Sequence, residues 1–248
     1  MPINGGIMIK KLFFAILSLI CFSGFVFADF GVNVRGGKLF GGSCFGEYDN
    51  YYVIGGAQDY KADFFNYGAD VFFERKISNE IFGFEGEGYI GVKVGFTKYE
   101  ENYYGLFFYD SSYGYNDLKL TSNAYAMPIM IYYKYKDEDK PRIRVWGGLG
   151  AELLFNEYNY KSTGLLVGNV QQKETSSAII PKIELGVEYV LAKSTSLFFS
   201  FGYQFNGKVT TDLADILFDE TYVDFSGITF NIGISFNIIK DKEEEKED

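Results

Sequence analysis

Hydrophobic and polar residues alternate in segment after segment of this chain. From Gly227 to Ile238 the alternation has no exception. Ile228, Phe230, Ile232, Ile234, Phe236 and Ile238 fall on one side, and Gly227, Thr229, Asn231, Gly233, Ser235 and Asn237 on the other. A period of two marks a β-strand with one apolar and one polar face. Seven earlier segments carry the same period: Phe30 to Val34, Phe65 to Phe73, Phe82 to Phe96, Tyr125 to Tyr133, Ile143 to Phe155, Ile179 to Leu191 and Leu197 to Phe205. Eight is an even number of strands, as an up-and-down barrel requires when both of its ends lie on one side.

The connections sort by length. Short turns fall near Ser78 to Glu80, Lys136 to Pro141 and Ala192 to Ser196. Long connections centre on Gly41 to Tyr60, Glu100 to Asp117, Tyr160 to Thr175 and Gly207 to Thr221. Short turns on one rim and long loops on the other are the pattern of outer-membrane barrels, whereas a soluble barrel has little reason to sort its loops so strictly.

The polar face shows which side points inward. It holds Glu85, Glu87, Gly91, Lys93 and Gly95 in the third segment, Arg142, Arg144, Gly148, Gly150 and Glu152 in the fifth, and Lys182, Glu184, Gly186 and Glu188 in the sixth. Glycine weakens a strand and marks crowding. An eight-stranded barrel has an interior just wide enough for side chains to fill, and small residues among long charged ones suit it. The opposite face carries almost no charge, a patch too large for a soluble monomer but at home in lipid. Aromatic residues gather near segment ends, at Tyr133, Tyr135, Tyr158 and Tyr203, as interfacial girdles do. The expected fold is therefore all-β, an eight-stranded antiparallel up-and-down transmembrane β-barrel.

The N-terminus agrees. Lys10 and Lys11 precede the apolar run Leu12 to Phe27, and Val26-Phe27-Ala28 offers small residues for cleavage after Ala28. This reads as a secretory signal peptide over 1–28. Met8 is an alternative start, and Ile20 stands where a small residue should precede a lipidated Cys21. The barrel is then expected over 29–239, with the charged stretch 240–248 as a periplasmic tail. Loss of Lys10 and Lys11 takes the formal charge from −10 to −12. An acidic exported chain without a basic stripe is a poor nucleic-acid binder. Cys44 alone remains, which excludes an intramolecular disulfide.

Asn231-x-Gly233-x-x-Phe236-x-Ile238 resembles the last-strand signal by which the outer-membrane assembly machinery recognises barrels, although here the chain continues past it. Between Ala124 and Phe205, the stretches Met127 to Phe155 ("MPIMIYYKYKDEDKPRIRVWGGLGAELLF") and Ile180 to Phe205 ("IPKIELGVEYVLAKSTSLFFSFGYQF") resemble the outer-membrane β-barrel domain family, of the small porin-like OmpA/OmpX type. The resemblance implies the outer membrane of a double-membraned bacterium, with outer-membrane lipid and the assembly machinery as partners. It implies no particular activity.

Chemistry is sparse. With no histidine in the chain, Ser-His and Asp-His arrangements are excluded, and a lone cysteine supplies no soft metal site. Glu85 with Glu87, and Glu184 with Glu188, share strand faces and could do acid–base work, but basic residues on the same faces point to a charge network. Asp212, Asp215, Asp219 and Glu220 lack the regular spacing of a Ca²⁺ loop. No enzyme activity and no cofactor are expected. Glu100 to Asp117 is dense in Tyr and Phe. It reads either as a recognition loop or as strands that extend above the membrane.

Across the inner face, Arg35, Lys93, Lys134, Arg142, Arg144 and Lys182 oppose Asp70, Glu74, Glu85, Glu87, Glu152, Glu184 and Glu188. Arg144 is expected to meet Glu188, and Lys182 to meet Glu152. Such pairing fills the interior, where a pore would want a one-sided ring of charge. The expected role is structural or surface-interacting, as a monomer meeting a surface ligand through its long loops. A narrow porin-like pore is the alternative.

Overall fold

The computed structural model describes residues 29–47, 60–77, 86–100, 102–110, 114–163, 170–211 and 220–239. Among them the chain forms eleven strands and no helix. These are β1 (Asp29–Glu47), β2 (Tyr60–Ile77), β3 (Glu87–Tyr99), β4 (Asn102–Asp110), β5 (Gly114–Lys136), β6 (Ile143–Thr163), β7 (Val170–Ala192), β8 (Thr195–Gln204), β9 (Lys208–Thr211), β10 (Glu220–Asp224) and β11 (Gly227–Ile239). The expected signal segment with Ala28, the charged tail, Phe82, Phe84 and Glu85 lie outside the described residues.

Eight staves close a ring. β1, β2, β3, β5, β6, β7, β8 and β11 pair in turn, and β11 returns to β1 with Val32 opposite Phe236 and Val34 opposite Ile234. Three staves are interrupted. β4 carries on from β3 and pairs with β5, while β9 and β10 pair with each other above β8 and β11, with β10 also paired to β1.

The register fixes the barrel's shape. Perpendicular partners run from Phe30 to Phe73, Val92, Ile131, Leu149, Ile183, Tyr203 and Ile228, and come back to β1 at Phe40, ten residues above the start. With about 3.3 Å per residue and 4.8 Å per strand, that stagger tilts the strands by about 40°. Ile228 to Ile238 then climb ~25 Å, the height of the lipid-facing band of such barrels. All six alternate apolar side chains of that stretch are exposed on the outside, while Thr229, Asn231 and Ser235 are buried inside. The same holds round the ring, with Ile131, Leu149, Ile179 and Leu185 each more than 60% exposed. An apolar exterior on a closed sheet leaves no unpaired edge, the condition for crossing a membrane with strands.

The strands are longer than the hydrophobic period predicts. Two of the expected long loops are largely paired backbone. Asn102 to Asp110 is hydrogen-bonded to Gly114 to Ser122, and Ser162 is paired with Val170. Within Glu100 to Asp117 the described residues Asn102–Asp110 and 114–117 are extended strand. The reason is physical. Once the staves leave lipid both faces meet water, so the outward positions Lys161, Lys173 and Thr175 are polar and the apolar alternation stops while the pairing continues.

Beside each other, the interruptions at 205–207 and 225–226 reshape the mouth. The Phe225 amide donates to the Gly207 carbonyl at 3.0 Å, and the Gly207 amide donates to Ser226 Oγ at 2.6 Å. Gly227 has φ +141°, and a Cβ there would run into the Phe40 carbonyl, so only glycine fits. The kink turns Phe225 into the barrel, where it is fully buried.

Candidate functional site

The interior is built in four levels, counted from the turn side once the strand tilt is allowed for. In the first, Lys134 on β5 bonds Glu74 on β2 and, at 2.9 Å, Glu188 on β7. Arg144 on β6 adds a longer contact of 3.5 Å to Glu188, its direct cross-strand partner. The Tyr132 hydroxyl donates to Glu74 at 2.7 Å.

The second level is aromatic. Phe72, Tyr132, Trp146 and Phe198 point inward from β2, β5, β6 and β8. Directly opposite each, on β1, β3, β7 and β11, stands a glycine: Gly31, Gly91, Gly186 and Gly233. A Cβ at any of the four would collide with the facing ring. Each stave thus supplies either a ring or the space the ring needs, which is a steric reason for four of the glycines that interrupt the polar face. The rings also carry cations on their faces. Lys93 lies 4.3 Å from the Trp146 centroid and Lys134 lies 5.3 Å from that of Phe72.

Charge returns in the third level. Arg35 Nε donates to Asp70 at 3.0 Å and its Nη2 to Thr97 at 2.7 Å. Lys182 lies 3.0 Å from Glu152 and 3.1 Å from Glu184, which also attracts Lys93 at 3.6 Å. The Tyr99 hydroxyl donates to Glu152 at 2.6 Å and accepts from Gln204 Nε2 at 2.9 Å. The fourth level is an apolar cap of Leu39, Phe64, Leu154, Ile180, Phe225, Val209 and Val223, all buried. Phe64 stacks on Phe225 at 4.7 Å and meets Tyr99 edge-on at 6.3 Å.

Most of the expected interior charges converge here. Arg35, Asp70, Glu74, Lys93, Lys134, Glu152, Lys182, Glu184 and Glu188 are buried, and Arg144 is nearly so. Both expected pairs form. Glu87 sits at the turn-side rim, held by Lys76 and Lys136 at 2.7 Å each. Arg142 is a correction: it lies exposed in the turn before β6, because the strand begins only at Ile143. With Arg142 exposed and Glu87 at the rim, the interior among the described residues sets five cations against five carboxylates. Tyr158 is a second correction. It belongs to no outer girdle but is buried inside, donating to the Val209 carbonyl at 2.6 Å, because β6 keeps its alternation past the lipid.

In the last strand Asn231 and Gly233 face inward, and Phe236 and Ile238 outward. The glycine of that pattern is also the seat of Phe198. Among the described residues a cavity of about 20 Å³ lies in the lumen beside the aromatic level, touched by Lys93, Lys134 and Glu188. That is room for about one water.

A closed eight-strand sheet, a bare apolar exterior and a packed ionic interior define a membrane-spanning β-barrel. No protein-family model and no curated protein matches the sequence. Similar solved structures include Neisserial surface protein A, NspA (TM-score 0.47, 16% identity, 84% of this chain and 97% of that one). Others are Ail, the attachment invasion locus protein of Yersinia pestis (0.38, 13%, 84% and 98%), and the outer membrane protein OprG from Pseudomonas aeruginosa (0.37, 11%, 86% and 98%).

Proposed function

We propose that this chain is an outer-membrane barrel with a structural or surface-interaction role, acting through the hairpins and loops above the membrane and not as a conduit. One observation carries the reading: the lumen is occupied at every level, by ion pairs, four rings, ion pairs again and an apolar cap. Conduction would require a continuous water path, and balanced, mutually bonded charges offer ions no one-sided ring. The tall paired hairpin strands, β4 with β5 and β6 with β7, support a role at the surface.

The narrow-pore reading has one feature in its favour. Asn66 Oδ1, Gln204 Oε1, Thr229 Oγ1 and Asn231 Oδ1 are buried without a protein partner, and water could serve them. Single-channel recording on the chain refolded into planar bilayers separates the two. The expected result is a flat trace under applied voltage. Stable, reproducible open steps would overturn the sealed-barrel reading and promote the pore.

A further inference from the structure

Where the turn before β6 meets the outer wall lies an open cleft of about 340 Å³, lined by Lys140, Pro141, Arg142, Ile143 and Tyr189. That volume is at the lower end of the range for ligand clefts, about 300–1,000 Å³. The turn that shapes it is fixed on both sides. The Ile143 amide donates to the Lys140 carbonyl at 2.9 Å, and Pro141 takes the second position of the turn, where its ring presets the backbone. The Val190 amide donates to the Arg142 carbonyl at 2.8 Å and ties the turn to β7.

The cleft sits at the lower edge of the lipid-facing belt. Ile143 stands six residues below Leu149, and Ile238 ten residues below Ile228 on the same perpendicular row. The ten-residue stagger over eight staves lowers constant height by about one and a quarter residues per strand. Three strands apart, Ile143 and Ile238 therefore come level. Ile143 and Tyr189, paired across β6 and β7, are both exposed and give the cleft an apolar wall at the depth where tyrosines meet headgroups. Lys140 and Arg142 are exposed just beyond it, and among the described residues neither cationic head has a protein partner. Three carboxylates, Asp137, Glu138 and Asp139, precede them in the same connection. The Asp139 amide donates to Asp137 at 2.8 Å, which engages that carboxylate within the turn, while Glu138 and Asp139 stay exposed.

We propose that this cleft holds one phosphatidylethanolamine of the turn-side leaflet. Its phosphate lies on Lys140 and Arg142, its ammonium toward Glu138 and Asp139, and an acyl chain along Ile143 and Tyr189. This rests on the membrane-barrel reading above. Charge complementarity selects the occupant. Two cations at headgroup depth suit a phosphate. The carboxylates beside them repel a lipid with net negative charge, but not a phosphate that brings its own cation. A primary ammonium also donates hydrogen bonds to carboxylates, which a choline headgroup cannot do. Long cationic side chains at a membrane edge also snorkel without binding anything, and this is the alternative the test must exclude.

The test uses the chain folded in detergent and titrated with phosphatidylethanolamine, phosphatidylcholine or phosphatidylglycerol of identical acyl chains, read by native mass spectrometry of retained lipid. Wild type is expected to retain one ethanolamine lipid in preference to the other two. Lys140→Gln with Arg142→Gln is expected to lower its apparent affinity about tenfold, the worth of two exposed ion pairs. Glu138→Gln with Asp139→Asn is expected to abolish the preference and let the glycerol lipid bind as well as the ethanolamine one. All four positions lie between β5 and β6, outside the strands, so both double variants should fold. Equal retention of the three lipids by wild type, or undiminished retention after loss of both cations, would mean that the cations only snorkel and would overturn the site. A wild-type preference for the glycerol lipid would overturn the role of the acids, and the ethanolamine assignment with it. Insertion into bilayers is scored separately by the heat-dependent mobility of the folded band. Failure to insert would overturn the barrel reading, and this proposal with it.

Discussion

The turn-side half of the lumen and its loop-side cap exclude water by opposite means. Below, among the described residues, five cations and five carboxylates neutralise one another on either side of one layer of rings that sit on glycines. Above, Phe64, Phe225, Leu39, Leu154 and Ile180 form an ordinary apolar core inside a membrane barrel. The difference teaches where each half is vulnerable. A buried ion network is weak evidence for stability when intact, yet it is strongly destabilised when one partner is removed, because the other charge is left buried alone. An apolar cap fails gradually, by the cavity left behind.

Lys182→Ala should therefore be the most damaging single change. It deprives Glu152 of its ion pair and leaves Glu184 only the longer contact to Lys93 at 3.6 Å, both carboxylates being almost completely buried, and is expected to cost about 3–5 kcal/mol. The measurement is urea unfolding of the bilayer-inserted barrel, followed by tyrosine and tryptophan fluorescence. Adding Glu184→Gln to Lys182→Ala should recover part of the loss. If the second substitution made matters worse, packing and not charge would be the term that matters.

Phe225→Ala comes next, at about 3 kcal/mol, the low end for a buried phenylalanine, because the mouth can relax around the gap. It also sharpens the contrast between the halves. Opening the cap leaves the ion pairs and the four rings in place, so Phe225→Ala should destabilise the barrel without making it conduct. Channels appearing in this variant alone would identify the cap as the seal and the charged half as a potential path.

Much of this was legible in the alternation. A period of two assigns faces without any knowledge of register, so the outward apolar belt and most of the interior charges follow directly. The rings were hidden because three of them stand beside an outward aromatic neighbour, as Phe72 does beside Phe73, Tyr132 beside Tyr133 and Phe198 beside Phe199. Such doublets read as membrane face and mask the inward member. The signal that exposes them is a glycine on the facing strand, which can be used only once the register is known. The link from Lys134 to Glu74 and Glu188 was hidden for a related reason: it spans the lumen, between strands that are not neighbours. The cap was hidden because β8 and β11 break at 205–207 and 225–226, where no hydrophobic period announces an inward turn.

The smallest predicted effect concerns two arginines of the same parity. Arg142 and Arg144 stand two residues apart, and alternation alone sends both inward. Only Arg144 is in the strand. It reaches Glu188 at 3.5 Å, while Arg142 sits exposed in the turn. Arg144→Ala leaves Glu188 still bonded to Lys134 at 2.9 Å, so the carboxylate is not stranded. Its cost should be near 1.5 kcal/mol, the low end for a hydrogen bond to a charged group. Arg142→Ala removes no buried partner and should fall within about 0.5 kcal/mol of wild type, as surface substitutions do. Urea midpoints for the two variants, measured side by side in one lipid, decide the matter. A loss for Arg142→Ala equal to that for Arg144→Ala would extend β6 by a turn of the pleat and return Arg142 to the interior. A null result for both would mean that Lys134 alone neutralises Glu188.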